Sequence, residues 1–307
     1  MRWLLTRLLG LVPVVLGVAL MVFLLIHLIP GDPVELMLGD SARPADRQAL
    51  RQALGLDQPL ATQLSNHVSR LVRLDLGESL HGRRPVRDML AERIPATLQL
   101  TGAALGLALL IAIPLGVLAA RRQGQVWDSL AMGFSLLGAS IPNFWLGPLF
   151  ILMFSLWLGW TPVSGAGAPG SLILPTLTLG TGMAAVLARM VRGSLLEVLG
   201  EPFIRTGRAK GLGEGALVWR HALRNAALPV VTLVGLQLGA LLGGAVITET
   251  VFAWPGIGSL LVEAIQKRDY PLVQGCVLLI SLAYVSVNSL TDLVYAWVDP
   301  RVRLGGD

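Results

Sequence analysis

Lysine is nearly absent from this chain, occurring only at positions 210 and 267 of 307. Charge of any kind is scarce. Asp, Glu, Lys and Arg make up 14% of the residues and hydrophobic types 54%, whereas soluble domains carry about 25% charge. With a mean hydropathy of +0.68, an ordinary soluble domain is the first class excluded. The only cysteine, Cys276, lies inside an apolar run, so no disulfide can form within the chain and redox compartment cannot be read. The four histidines, at 27, 67, 81 and 221, are far apart and form no His-x-x-x-His pair; no metal site built by this chain alone is expected. Neither lysine stands in Gly-Lys-Ser/Thr, since Lys210 follows Ala209 and Lys267 precedes Arg268. A P-loop, whose backbone N–H groups and lysine hold phosphates, is therefore not encoded. Nor do nucleophile, base and metal-ligand types cluster anywhere, so no catalytic residue is expected. The net charge of +5 is carried almost wholly by arginine. Without stacking aromatics on a soluble domain it reports membrane topology, not nucleic-acid binding.

What is present is a set of long uncharged runs. A charge at mid-bilayer costs roughly 2.5–3.5 kcal/mol on insertion scales, so such runs mark the spans. They extend over Leu8–Gly31, Ile94–Ala120, Ser129–Ala188, Asn225–Thr248 and Tyr270–Thr291, each longer than the ~20 residues a crossing helix needs. The third must be two spans, because Thr161-Pro-Val-Ser-Gly-Ala-Gly-Ala-Pro-Gly170 breaks any helix. The expected fold is therefore all-α, a polytopic bundle of six transmembrane helices: 9–29, 96–120, 129–158, 172–191, 225–248 and 271–297. The first apolar run is too long for a signal-peptide core and ends in His27-Leu-Ile-Pro-Gly-Asp32, not a small-residue cleavage site; it reads as an uncleaved span.

Positive residues orient the bundle. Arg121 and Arg122 lie in the 121–128 loop, seven Arg and Lys lie between Arg189 and Arg224, and Arg2, Arg7, Arg301 and Arg303 mark the ends. The facing 159–171 loop has no charge, and the 249–270 loop has only Lys267 and Arg268 as bases. Short-loop counting places both termini (1–8 and 298–307), 121–128 and 192–224 in the cytoplasm. Trp3, Trp127, Trp219 and Trp297 then fall near the inner boundary and Trp157, Trp160 and Trp254 near the outer one, with Trp145 internal. The outer segment 30–95 balances its arginines with acids. Leu60, Leu64, Val68, Leu71 and Val72 predict an amphipathic helix with Pro59 at its first position, and Pro85 to Arg93 predicts a second short one. This segment is a cap on the bundle or a recognition domain.

Ionisable residues hardly occur within the spans. His27, Glu249 and Asp292 lie near span ends, as interfacial residues or local ion pairs, Asp292 with Arg301 or Arg303 for example. Carriers driven by protons or ions need intramembrane Asp, Glu or His; an ion-coupled secondary transporter is the alternative to energy arriving from a partner. In the fifth span Gly235, Gly239 and Gly243 share one helical face, fit for close packing in the bundle or at a subunit interface. A shorter version is Gly102-x-x-x-Gly106.

The densest positive patch runs Phe203-Ile-Arg-Thr-Gly-Arg-Ala-Lys-Gly211-Leu, followed by His221-Ala-Leu-Arg-Asn-Ala-Ala-Leu-Pro229. It is either topology-setting charge that touches anionic lipid or a short helix, ending near Gly211, that docks into a cytosolic subunit. In the second case Arg205, Arg208 and Lys210 would make polar contacts, and Leu212 and Leu217 apolar ones.

This patch resembles the EAA region of ABC-importer permeases, in the version of the dipeptide, oligopeptide, glutathione and nickel group. Pro30-Gly-Asp-Pro33, Leu54-Gly-Leu-Asp-Gln-Pro-Leu60, Ile94-Pro-Ala-Thr97, Ile141-Pro-Asn-Phe-Trp145, Glu249-Thr-Val-Phe-Ala-Trp-Pro-Gly-Ile-Gly258, Arg268-Asp-Tyr-Pro271 and Asp299-Pro300 match the same group in order. The resemblance implies a type I ABC-importer permease fold and a lipid-embedded subunit moving di- or oligopeptides or glutathione by alternating access, with nickel or a metal chelate as the alternative cargo. It implies a homologous second permease, two ATP-binding cassette ATPases that use ATP and Mg, and a periplasmic solute-binding protein as partners, with no cofactor held by this chain. By the same resemblance Arg205, Thr206, Arg208, Ala209, Lys210, Gly211 and Leu212 form the coupling helix seated on an ATPase. Gly207 departs from the Ala usual in related chains, at a cost of about 0.5–1 kcal/mol if it is helix-interior.

Overall fold

The computed structural model describes residues 13–24, 33–38 and 43–298. In chain order they form α1 (Pro13–Leu24), α2 (Pro33–Leu38), α3 (Pro44–Leu54), α4 (Leu60–Val72), α5 (Val86–Arg121), α6 (Val126–Ser140) and α7 (Asn143–Phe150). A π-helical stretch, Ile151–Trp157, prolongs α7. Then follow α8 (Ile173–Leu199), α9 (Pro202–Ala209), α10 (Glu214–Ala216), a second π-helical stretch (Leu217–Ala222), α11 (Leu223–Val251), α12 (Ile257–Gln266) and α13 (Tyr270–Val298). Among the described residues the only β pairing is an isolated bridge, Glu78 with Pro85.

Among the described residues, four helices are long and apolar enough to cross a bilayer: α5, α8, α11 with its lead-in, and α13. A fifth crossing is possible if α6 and α7 count as one broken span. Of the six expected, the first (9–29) lies partly outside the described residues, and α1 covers its middle. The third, expected over 129–158, bends by 102° between α6 and α7. Proline explains the corner: Pro142 has no N–H to donate and forces Ile141 out of the helical region, to φ −88°, ψ 118°. The second span starts earlier than expected. The separate outer helix foreseen at 85–93 is the beginning of α5, which continues through Pro95. Charges delimit the apolar part of a helix but not the helix itself.

The chain divides into two compact units, Met1–Ala96 with Pro255–Ala283, and Thr97–Trp254 with Tyr284–Asp307. The first has a core of Val86, Leu90, Ile257, Leu260, Ala264, Leu272 and Cys276. Asp269, fully buried, accepts the Leu272 N–H at 3.3 Å in the first turn of α13 and a hydrogen bond from the Ser79 hydroxyl. Gln274 donates to the Val22 carbonyl at 2.9 Å, fastening α1 to α13. Helix α4 is amphipathic as expected, yet none of its residues is fully buried; Leu64, Val68 and Leu71 are half-covered while Leu60 and Val72 are exposed. Pro59 precedes the helix as its cap and is not its first residue.

The second unit is built around α8, whose Leu174, Leu179, Ala184, Ala185, Leu187, Ala188, Val191 and Leu195 are all buried. Small residues let its neighbours approach. A Cβ on Gly116 of α5 would lie 2.7 Å from the Val191 Cβ, and one on Gly138 of α6 would lie 2.7 Å from the Ala185 Cβ. Through Gly200 and Glu201, α8 leads directly into α9.

Candidate functional site

The basic loop folds into a short helix that shows its polar side outward. Glu201, extended at φ −68°, ψ 148°, precedes α9, and Pro202 occupies its first position, where a missing N–H costs nothing. Apolar side chains are too few to bury the helix on more than one stripe. Only Ile204 and Gly207 are buried; Arg205, Thr206, Arg208, Ala209, Lys210, Gly211 and Leu212 are all exposed. Phe203 adds an exposed ring. The residues singled out in the loop are therefore brought together on one accessible surface.

Two glycines shape this surface. Gly207 faces Leu217: a Cβ there would lie 2.8 Å from the Leu217 Cδ2. The low helix propensity of glycine thus accompanies a close approach, and the flexible leucine end sets how much a methyl would disturb. Leu217, expected to offer apolar contact to a partner, is instead 1% exposed and packs inside the chain. Leu212 remains available at 42%. Gly211 ends the helix in the left-handed region at φ +79° with nothing near its Cβ position. Its N–H reaches the Arg208 carbonyl at 2.9 Å, and the Leu212 N–H reaches that of Gly207 at 3.2 Å, the closing pattern that glycine permits at least strain.

Arg208 is not a free cation. Its guanidinium holds Glu214 in a fork, Nε to Oε1 at 2.7 Å and Nη2 to Oε2 at 3.3 Å. The hydrogen bond from Arg208, with lesser help from the charges of Arg208 and Arg121, keeps the Glu214 carboxyl below its ordinary range. The loop is thereby clasped end to end, α9 to α10. Glu214 was not foreseen; its spacing of six residues from Arg208 matches no helical pairing rule.

A second fork went unforeseen because Arg192 reads as one more loop charge. Its Nε and Nη2 donate to the two oxygens of Asp128 at 2.6 and 2.8 Å, joining α8 to the first turn of α6. A third polar contact, from the Thr97 hydroxyl to Glu249 at 2.7 Å, joins α5 to α11. Glu249, expected near an interface, is fully buried.

Gly235 and Gly239 face α13: a Cβ would lie 2.1 Å from the Thr291 Oγ1 at the first and 2.8 Å from the Tyr284 Cε2 at the second. The surroundings of Gly243 and Asp292 lie outside the described residues, as does His27. The shorter pair, Gly102 and Gly106, faces open space. Trp127, Trp145, Trp157, Trp160 and Trp219 are exposed, whereas Trp254 is buried within the chain.

Comparison with known proteins bears on the whole length. The model of the family described as "Binding-protein-dependent transport system inner membrane component" matches residues 112–304, and the N-terminal model of such components matches 1–101. A protein of Escherichia coli O6:H1 named glutathione transport system permease protein GsiC is 45% identical over 303 residues, 99% of each chain. Its namesake in Salmonella typhimurium is likewise 45% identical with the same coverage. Among solved structures, the inward-facing MetNI methionine ABC transporter aligns with 69% of this chain and 96% of its own at TM-score 0.57 and 24% identity, a likeness of fold alone. With its apolar helices and its exposed basic loop, the chain belongs to the family of binding-protein-dependent transport system inner membrane components, the multi-pass permease subunits of ABC importers, in the peptide and glutathione group.

Proposed function

We propose that this permease admits glutathione or a similarly short peptide from the periplasm, driven by ATPases that grip α9. The outward presentation of Arg205, Thr206, Arg208, Ala209, Lys210, Gly211 and Leu212, with only Ile204 and Gly207 turned inward, carries this reading. A helix pinned along one stripe and polar elsewhere suits a cleft in another subunit. The Arg208–Glu214 fork holds it in shape beforehand, which lowers the ordering cost of docking. Full-length likeness to glutathione permeases supports the choice of cargo.

In this reading a homologous second permease completes the passage. Two cytosolic ATPases use ATP and Mg, a periplasmic protein delivers solute, and the chain itself holds no cofactor and hydrolyses nothing. Both termini and the basic loop face the cytoplasm, where positive residues are retained. ATP binding closes the ATPases, the pull on α9 tilts the spans and opens the cavity outward, and hydrolysis resets it. Binding energy from ATP serves only to shift the population between two arrangements.

The test is uptake of labelled glutathione into proteoliposomes holding the full complex. Arg208→Glu, which sets two carboxylates face to face, and Gly211→Val should keep ATP turnover while uptake falls. Normal uptake by both variants removes the role of α9. Uptake by the isolated chain under an ion gradient would replace the ATP-driven scheme altogether. A cysteine at Gly215 should be labelled only from the cytoplasmic side; labelling from outside inverts the topology.

A further inference from the structure

We infer that Asp128 and Arg192 form the strut that delivers movement of α9 to the α5–α6 hairpin, an inference that rests on α9 being the ATPase contact. The two are positioning residues: neither touches solute or nucleotide in this scheme.

The connection from α9 is short and bonded. Gly200 and Glu201 donate to the carbonyls of Glu197 and Val198 at 3.1 Å each, and the Ile204 N–H then reaches the Glu201 carbonyl at 3.1 Å. Displacement of α9 therefore acts on the end of α8, two helical turns from Arg192. At that level α8 meets the hairpin twice. The Gly116 backbone of α5 lies against Val191 and Ala188, and the Arg192 fork closes on Asp128 of α6. Apolar contact alone lets one helix slide or roll on another. Two parallel N–H···O bonds fix direction as well as distance, which a lysine cannot do.

The hairpin end of the strut is itself braced. The Gly124 N–H donates to the Asp128 Oδ2 at 3.0 Å, the oxygen that also receives the Arg192 Nη2. Within the turn the Gln125 N–H reaches the Arg122 carbonyl at 2.9 Å, and the Arg122 Nη1 reaches the Gln125 side chain at 3.2 Å. From Asp128, α6 runs as one helix to the corner at Ile141. A push on α9 thus reaches α6 through a joint that resists rotation. Stability alone does not call for such a joint, since a well-packed apolar pair of similar volume serves as well or better. What the fork adds is orientation, so what its loss should remove is coupling.

The experiment reads glutathione moved per ATP hydrolysed by the full complex in proteoliposomes. Arg192→Lys keeps the charge and loses the fork. It should lower that ratio about fivefold or more, the lower end of coupling between distant sites, with the ATPase rate maintained. Asp128→Cys/Arg192→Cys, joined by a short thiol-reactive linker, should recover the wild-type ratio, because the strut does not open during the cycle. The native Cys276 is buried and stays silent. An unchanged ratio in Arg192→Lys, or arrest of transport on cross-linking, overturns the strut. The α9 reading is judged separately by Gly211→Val. If Gly211→Val uncouples and Arg192→Lys does not, only the strut is lost; if Gly211→Val leaves the ratio intact, the premise itself has failed.

Discussion

Asp128–Arg192 and Arg208–Glu214 have the same chemistry, a guanidinium fork on a carboxylate, and flank the same run of chain. Their surroundings differ. The side chains of the first are 8% and 24% exposed, those of the second 46% and 53%. Water competes for the second pair at every moment, whereas the first has few alternative partners. One geometry therefore does two jobs: the covered fork fixes how two helices sit, and the open one keeps a loop in shape while leaving its surface usable.

The sharpest way to break this comparison is to remove one half of the covered pair. Arg192→Leu leaves the Asp128 carboxylate without its cation and should destabilise the detergent-solubilised protein, towards or below the low end of the roughly 3–5 kcal/mol for a broken buried pair. Asp128→Leu/Arg192→Leu should recover most of that loss in a thermal melt. A double variant as unstable as the single one would show that burial of the charge is not what matters. Next comes the open loop, which is held by its backbone more than by its ions. Gly211→Ala should cost about 1 kcal/mol, because a Cβ is strained at positive φ, and should exceed Glu214→Gln in the same melt. The reverse order would make the exposed fork the stronger element.

The smallest effect concerns acid. Glu214 has its carboxyl shifted downward in the folded chain. The contribution of its pair is thus complete above the ordinary carboxylate range and fades only as pH falls through the lowered value. A mobility probe on a cysteine at Gly215 should report a closed loop from neutral to mildly acid pH and an open one only in strong acid. Glu214→Gln should abolish that transition, with a change in the neutral melt smaller than that of Gly211→Ala.

Most of the helical layout could be read from where charges are missing, because lipid tolerates them poorly along the whole length of a span. The Thr161–Gly170 break separates the π-helical stretch from α8 as expected, since glycine and proline act locally. The exposed face of α9 was legible for the same local reason. What escaped depends on tertiary partners. Arg192 and Asp128 are 64 positions apart, and nothing in either neighbourhood announces the other. Leu217 and Trp254 have the composition of surface contacts but are covered by the fold. Pro142 was in view as part of a motif, yet its effect is a corner of 102°; Pro95 and Pro229, equally visible, lie inside continuous helices. Whether a proline breaks a helix depends on what can satisfy the carbonyl it leaves unbonded.

That corner has a consequence for the solvent. At Ile141 and Pro142 the backbone leaves the helix, and Asn143 and Phe144 open α7 ahead of its first internal hydrogen bonds, which begin with the Trp145 and Leu146 amides on Pro142. Hydrocarbon offers those peptide groups nothing. Where such a bend persists at bilayer depth, moisture or a neighbouring subunit must reach it, so the elbow between α6 and α7 is a place where this protein's wall has to admit something other than lipid.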